Sequence, residues 1–383
     1  MTAALLPQTA PLRVDRLDVS VYRAPILRPV RTAVGAMTNR PAVIVRAEGG
    51  GAVGYGEIWC NFPTCGAEHR ARLLESVFRP WITGTEWSSP AAAFRELSAR
   101  SHWLALQAGE PGPVAQVVAG IDIALWDLAA RQAGVPLWRL LGGGQERMPA
   151  YASGINPDGT VRQAEVARAA GFRAFKLKIG FGADLDLENL AALRSRLGPD
   201  VQIAVDANQA WGLDEAVAMS RALARYAPLW LEEPLAADSP LDDWQRLAEA
   251  SPVPLAAGEN LRGDAAFDAA IAGGALRFIQ PDLAKWGGIT GCLPLARRIN
   301  EAGLCYCPHF LGGGIGLLAS AHLLAAAGGD GLLEIDSNAN PLREGLAAPF
   351  PALEDGQFVL SEEPGLGVAP SAEVERFAVT VLA

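Results

Sequence analysis

The 383-residue chain has little of what marks a secreted, nucleic-acid-binding or membrane-spanning protein. Its five cysteines are odd in number and widely scattered, so they build no disulfide framework. Basic residues are in deficit: 32 Lys and Arg against 42 Asp and Glu leave a formal net charge of -10. Such a surface repels a polyanion, which excludes nucleic acid as a partner. No apolar run reaches the roughly 18 residues a membrane span needs, and Met1 to Arg13 has no basic segment followed by a long apolar one. A soluble, cytoplasmic protein without a membrane partner is expected. What the chain does have is length and apolar content: half its residues are hydrophobic, enough for a barrel of about 250 residues and a smaller domain.

Between Phe175 and Glu334 one event recurs. A short apolar run ends in a charged or polar side chain, and a helix-like segment follows. Phe175 to Ile179 carries Lys176 and Lys178; later runs end in Asp206, Glu232, Glu259, Asp282, His309 and Glu334. Successive members lie roughly 23 to 28 residues apart, the length of one strand, one helix and two short loops. In a closed parallel barrel the buried strands read as apolar runs, and the site forms at their C-terminal ends. Any one of these residues reads equally well as a solvated strand terminus or a helix cap. Seven in succession, opening on one mouth, assemble a single site.

The fold expected is α/β: a modified TIM barrel, (β/α)7β, with an N-terminal α+β capping domain completed by the C-terminal segment. The divisions are 1–130 for the cap, 131–336 for the barrel and 337–383 for the returning segment. In the cap, Val14 to Tyr22, Ala42 to Ala47 and Val53 to Ile58 alternate as strands, with a glycine turn at Gly49 to Gly51. The connections 23–40 and 59–66 read as long irregular loops that lid the mouth. They contribute Ile26, Leu27, Val30, Met37 and Trp59 with Arg28, Arg31 and Arg40, and the candidate substrate-binding residues Asn61 and Phe62. A helix preceded by Pro111 and Pro113 carries Asp122, Trp126 and Asp127, and its two apolar faces imply packing between domains. Barrel strand one is placed at Ala150 to Gly154 by position alone. Cys305, Cys307 and His309 alternate as a zinc site would, but the alternation also aims both thiols at the barrel axis as small fillers. Gly312 to Gly316 reads either as a plain turn or as an anion site at a helix start.

Asp206, Glu232 and Glu259 end three consecutive strands. Three anions at one point repel unless a cation sits among them or basic residues bridge them, and few basic residues lie on these strands. Hard oxygen donors without Cys or His select Mg²⁺, with Mn²⁺ second, over zinc. Lys176 and Lys178, two apart on a strand, face the same way. Two ammonium groups roughly 6 Å apart at an effective dielectric near 20 repel by about 2.8 kcal/mol, which would leave Lys178 neutral often enough to take a proton. Asp282 and His309 end adjacent strands, so a carboxylate can fix the imidazole tautomer and leave the other nitrogen to move a proton.

These motifs resemble the enolase superfamily, and within it the mandelate racemase subgroup of the mandelate racemase and muconate lactonizing enzyme family. The resemblance is carried by Lys176-x-Lys178, Asp206-x-Asn208, Glu232-Glu233-Pro234, Glu259-Asn260, the run from Asp282 through Lys285 to Gly287-Gly288, His309, Glu334 and the helix segment Ala119 to Asp127. It implies Asp206, Glu232 and Glu259 as Mg²⁺ ligands and Lys178 as the base on one face, with Lys176 beside the substrate carboxylate. It further implies His309, paired with Asp282, on the other face, Glu334 as the acid on a carboxylate oxygen, and Asn208 near the substrate. The reaction implied is removal of an α-proton from a small carboxylate through an enediolate. Racemisation or epimerisation of a 2-hydroxy acid is expected first, dehydration of a sugar acid or hydroxy acid second, and a non-catalytic scaffold last; a homo-oligomer is expected. Relatives that lactonise muconate or epimerise dipeptides carry a lysine where Asp282 stands, and Lys285 is read as structural. The mixed lid residues hint at a substrate less hydroxylated than a sugar diacid.

Overall fold

The computed structural model describes residues 6–32 and 35–380, with only the backbone described between 27 and 36. Alternation places an antiparallel sheet first: β1 (Arg16–Thr32), β2 (Gly35–Gly49) and β3 (Ala52–Ile58) pair in sequence order. The segment 23–40 is not the irregular loop its prolines and arginines suggest. β1 and β2 continue through it as a two-stranded ribbon, with Pro25 opposite Asn39 and a register shift before Val30 opposite Met37. A ribbon has two free edges and tolerates a bulge, so a proline costs no ladder bond there. The lid side chains expected at Leu27, Arg28, Val30 and Arg31 lie outside the described residues.

Helices α1 (Gly66–Leu73) and α3 (Pro111–Gln132) cover this sheet, and α2 (Pro90–Ala108) packs against α3. Ser89 caps α2 by accepting from the Ala92 N–H. Pro111 and Pro113 lie inside the first turn of α3 rather than before it, where a missing N–H breaks no intrahelical bond. Contrary to the sequence expectation, α3 is long and apolar enough to cross a membrane, yet it is buried within the molecule. It lies so close to the sheet that a Cβ on Gly56 would stand 2.0 Å from the Gly120 carbonyl oxygen.

The barrel strands are β4 (Arg147–Ile155), β5 (Ala174–Lys178), β6 (Gln202–Asp206), β7 (Leu231–Glu232), β8 (Leu255–Ala257), β9 (Phe278–Ile279), β10 (Cys305–Tyr306) and β11 (Leu333–Asp336). They pair in parallel in the order β10-β9-β8-β7-β6-β5-β4-β11. At the seam between β11 and β10, the Leu332 N–H reaches Cys307 Sγ at 3.4 Å. Helices α4 (Thr160–Ala169), α5 (Ala183–Leu197), α6 (Leu213–Leu223), α7 (Leu241–Ala250), α8 (Asp264–Gly273), α9 (Gly288–Glu301) and α10 (Gly314–Ala327) connect them.

Strand periodicity sorts the side chains. Phe175, Leu177, Ile203 and Val205 pack with the surrounding helices, while Tyr151, Ala174, Ala204, Trp230, Phe278, Cys305 and Cys307 form a separate interior cluster. The two thiols are fillers of that floor. Beyond β11 a hairpin of β12 (Leu353–Glu354) and β13 (Gln357–Val359) pairs with the start of β4, Gln357 opposite Pro149. β14 (Ala378–Val379) then pairs with β1, Ala378 opposite Tyr22, so the C-terminal segment completes the cap sheet.

Candidate active site

The polar side chains of the mouth sit within, at or just beyond the C-terminal ends of the barrel strands. The parallel register sets Lys178 beside Asp206 and Asp206 beside Glu232. Glu259 follows β8, Asp282 follows β9, His309 follows β10, and Glu334 lies within β11. Asn208, Gln209 and Glu233 take positive φ of 45, 65 and 39° at these strand ends. Such backbone strain concentrates at functional sites.

The fully buried Lys176 Nζ is 2.6 Å from Glu232 Oε1, 2.8 Å from Glu334 Oε1 and 3.7 Å from Asp206 Oδ2. Lys178 Nζ donates to Asp206 Oδ2 at 2.5 Å. His309 Nδ1 is 2.9 Å from Asp282 Oδ2, and its Nε2 contacts Glu259. Asp282 is held from behind, its Oδ1 accepting from the Ala284 and Lys285 N–H groups at 2.9 and 3.1 Å. Glu334 accepts from Ser153 Oγ at 2.5 Å and from the Phe310 N–H at 3.1 Å. Glu232 Oε2 accepts from Trp230 Nε1 and Gln280 Nε2 at 2.9 and 2.8 Å.

The electrostatics follow these pairs. Burial pulls the Lys178 ammonium down, but the charge and hydrogen bond of Asp206 together with Glu232 outweigh it and the pKa stands above its ordinary value. The lysine–lysine repulsion expected from sequence is present and loses to this pairing. Burial likewise lowers His309, yet Glu259 and Glu334 carry it to about 10. Burial raises Glu334, but Lys176 and His309 bring it to about 2. Glu232 is pushed to about 7 and Glu233 to about 8, first by burial and then by neighbouring carboxylates. The mouth holds more negative charge than its cations balance.

That excess, with three all-oxygen donors from consecutive strands, fits a hard divalent cation. Among the described residues no three donors converge as a metal cage. The carboxylates are instead turned onto the chain's own cations: Asp206 onto Lys178, Glu232 onto Lys176, Glu259 onto His309. Donor type and strand position fit magnesium; the side-chain directions are those of the ion pairs.

A cavity of about 190 Å³ opens above this layer. Lys178, Glu259, His309 and Glu334 line it, and so do Asn61, Phe62 and Asn208. Lys176, Asp206 and Asp282 lie beneath it, touching the lining residues rather than the cavity, and Glu232 is paired with Lys176. Its wall also includes Asn156, Gln209, Asn260, Asp336 and Asn338, which the sequence reading did not select as site residues. Asp336 was findable, because period-two alternation from Glu334 turns it inward. Asn156 was not, since β4 has no terminal charge to mark it. Arg40 reaches the same rim from the cap, 2.6 Å from Asp336 Oδ2.

The glycine run after His309 does bind an anion, and the anion is internal. Glu57 of β3 accepts from the Gly313 and Gly316 N–H groups at 2.5 and 2.8 Å, at the start of α10. The start of α9 is filled in the same way by Asp122.

Residues 16–142 match the family model described as mandelate racemase / muconate lactonizing enzyme, N-terminal domain, and residues 159–374 match the one described as enolase C-terminal domain-like. A D-galactarolactone cycloisomerase of Agrobacterium fabrum is 31% identical over 92% of this chain and 94% of its own. An arabinonate dehydratase of Saccharolobus solfataricus is 30% identical over 88% and 90%. The crystal structure of a mandelate racemase/muconate lactonizing enzyme from Bordetella bronchiseptica is 50% identical, with coverage of 96% and 99% and a TM-score of 0.90. A racemase from Streptomyces coelicolor with bound magnesium is 29% identical, with coverage of 96% and 100% and a TM-score of 0.85.

Proposed function

This chain belongs to the mandelate racemase / muconate lactonizing enzyme family of the enolase superfamily, and from that premise we propose how its own residues divide the work. The protein is an enzyme of magnesium-dependent enediolate chemistry, removing a proton next to a carboxylate. Asp206, Glu232 and Glu259 are the residues that would hold the ion. When bound, Mg²⁺ supplies positive charge to the carboxylate on which a second negative charge develops.

Lys178 is the base on one face. Its proton affinity is set by a contest between Asp206, which raises it, and Lys176, which lowers it; an Asp206 engaged elsewhere leaves the lowering neighbour in charge. His309 is the proton carrier on the other face. Asp282, anchored by two backbone N–H groups, fixes the ring through Nδ1 and leaves Nε2 to face the substrate. Lys176 and Glu334 receive the substrate carboxylate, which replaces Glu334 as the partner of Lys176. Released from that ammonium, Glu334 can carry the proton it donates to the carboxylate oxygen as charge builds. General acid and base transfer adds roughly 10² to 10⁴ in rate.

One observation carries the choice of reaction. Lys178 and His309 line the same cavity from strands far apart in the barrel order, each backed by its own carboxylate. Two such carriers suit exchange of an α-proton between faces, so the reading is a racemase or epimerase of a small 2-hydroxy acid. A second reading, a hydroxy-acid or sugar-acid dehydratase, is favoured by the carboxamides of Asn61, Asn156, Gln209 and Asn338 in the wall, which suit substrate hydroxyls. That lining argues for a more hydroxylated substrate than the lid composition implies. The test incubates both mandelate enantiomers, galactonate, arabinonate and galactarate with enzyme and Mg²⁺ in D₂O. Deuterium at the α-carbon with inversion supports the racemase, a 2-keto product supports the dehydratase, and neither on any acid would sink the assignment of roles.

A further inference from the structure

The segment that carries His309 is not held by the barrel alone. After the imidazole, the Phe310 N–H donates to Glu334 at 3.1 Å. The Leu311 carbonyl accepts from Asn61 Nδ2 at 2.7 Å, and the Gly312 carbonyl from Asn340 Nδ2 at 2.7 Å. The Gly313 and Gly316 N–H groups donate to Glu57. Four consecutive residues, 310 to 313, and then Gly316 are each pinned from elsewhere, and two of the pins, Glu57 and Asn61, come from the cap. Glu57 is the firmer of the two: it is buried, takes the two N–H groups one on each oxygen, and sits at the positive end of α10. A Cβ on Gly313 would stand 2.8 Å from Glu57 Oε1, so the run is shaped to admit this carboxylate. Lys178 is held differently, by β5 and by Asp206, both barrel parts.

We propose that Glu57 is a positioning residue for His309: through this carboxylate the cap sets where the imidazole stands, so proton transfer on the His309 face depends on cap docking and transfer on the Lys178 face does not. The proposal rests on the two-face reading above. Glu57 touches neither the cavity nor any reacting atom; it acts through the 309–316 backbone. Neutralising it leaves one N–H group facing a donor instead of an acceptor, and the segment shifts. Misplacement of a reacting group by about 1 Å can cost on the order of 100-fold.

The test compares wild type with Glu57→Gln and Glu57→Ala, full chain with Mg²⁺. On whichever acid of the panel above exchanges fastest, α-deuteration is followed separately from each face. For Glu57→Gln, exchange from the His309 face is expected to fall roughly 10- to 100-fold while the Lys178 face stays within about twofold. Equal loss on both faces, or no loss on either, overturns the proposal. Backbone hydrogen exchange on the Mg²⁺-loaded protein gives a readout that needs no substrate. Protection is expected to drop within 309–316 and to hold in β5 and β6; unchanged protection, or a loss spread through the barrel, overturns it. His309→Asn separates the two failures. If that variant loses exchange on neither face, or no acid exchanges at all, the two-face reading has failed, and the proposal falls with it whatever hydrogen exchange shows for the segment. Should Glu57→Ala not fold, Glu57→Gln decides alone.

Discussion

Two of the regions of this molecule that bury carboxylates hold them by different means. At the seam between cap and barrel, Glu57 and Asp122 accept from backbone N–H groups and one hydroxyl. Asp122 takes the Thr290 N–H at 2.9 Å with its hydroxyl at 2.6 Å; Asp127, which joins the cap to the C-terminal segment, is mixed, taking the Tyr55 and Leu366 N–H groups at 2.8 and 2.6 Å and pairing with Arg131 at 3.0 Å. At the mouth, Asp206, Glu232, Glu259 and Glu334 accept from ammonium groups and an imidazole. A backbone donor cannot leave, whereas a side-chain cation can be displaced by a metal ion or give up a proton. Acids of assembly and acids of chemistry are therefore told apart by their donors, not by their burial. Asp282 stands between the two kinds, one oxygen on backbone N–H groups and the other on His309, which suits a residue that holds a reactant without reacting.

The largest effect that tests this contrast is on rate. Lys178→Met and His309→Asn are each expected to lower α-proton exchange from their own face by about 10³ or more, as removal of a general acid or base does. Face-resolved exchange in D₂O measures it. Asp122→Asn, equally buried, is expected to stay within about twofold of wild type, and a comparable loss there would erase the distinction.

Metal linkage comes next. Mg²⁺ at about 100 times its dissociation constant should stabilise wild type by about 2.7 kcal/mol. Glu232→Gln should lose most of that gain, and Asp122→Asn should keep it. Urea unfolding with Mg²⁺ and with a chelator gives the difference. A full Mg²⁺ gain in Glu232→Gln would remove that residue from the ligand set. Smaller again is the direct cost of a seam acid: Asp122→Ala leaves the Thr290 N–H and hydroxyl unpaired and should cost about 1 to 3 kcal/mol in urea, with kcat unchanged.

The contrast also explains what the sequence discloses. The mouth is legible because strand periodicity and the 23-to-28-residue beat, roughly one βα unit, announce each terminal charge in turn. The helices α4 to α10 follow for the same reason, one between each pair of successive barrel strands. The ribbon through 23–40 was hidden because its prolines are turn signals by any local rule, and only pairing across the ribbon overrides them. The seam acids were half legible. Asp122 and Asp127 on an apolar helix signalled burial, but their partners lie 168 and 239 residues away at Thr290 and Leu366. Glu57 carries no local signal at all, and the glycine run that receives it reads from sequence as either a turn or an anion site. Directions at the mouth were beyond reach too, since the raised Lys178 pKa follows from a rotamer that sets Nζ on Asp206.

The smallest and most discriminating prediction is a difference in sign with pH. Burial pushes Asp122 up to about 7 from an ordinary 3.8, so in the folded state it keeps its proton longer than in the unfolded state. Its contribution to stability is present below about pH 4 and is lost as pH rises through about 7. Glu334 runs the other way. Burial raises it, but Lys176 and His309 hold it at about 2 from 4.5, so its contribution is present above about pH 4.5 and is lost as pH falls toward 2. Each slope is about 1.4 kcal/mol per pH unit where the folded and unfolded states differ by one proton. Subtracting a neutral variant from wild type cancels every shared titration. The stability of wild type minus Asp122→Asn should therefore fall between pH 4 and 7, and that of wild type minus Glu334→Gln should rise between pH 2 and 4.5. Unfolding midpoints in urea across that range measure both. Two curves of the same sign would mean that the N–H and hydroxyl donors of Asp122 and the cations on Glu334 hold these two buried acids alike.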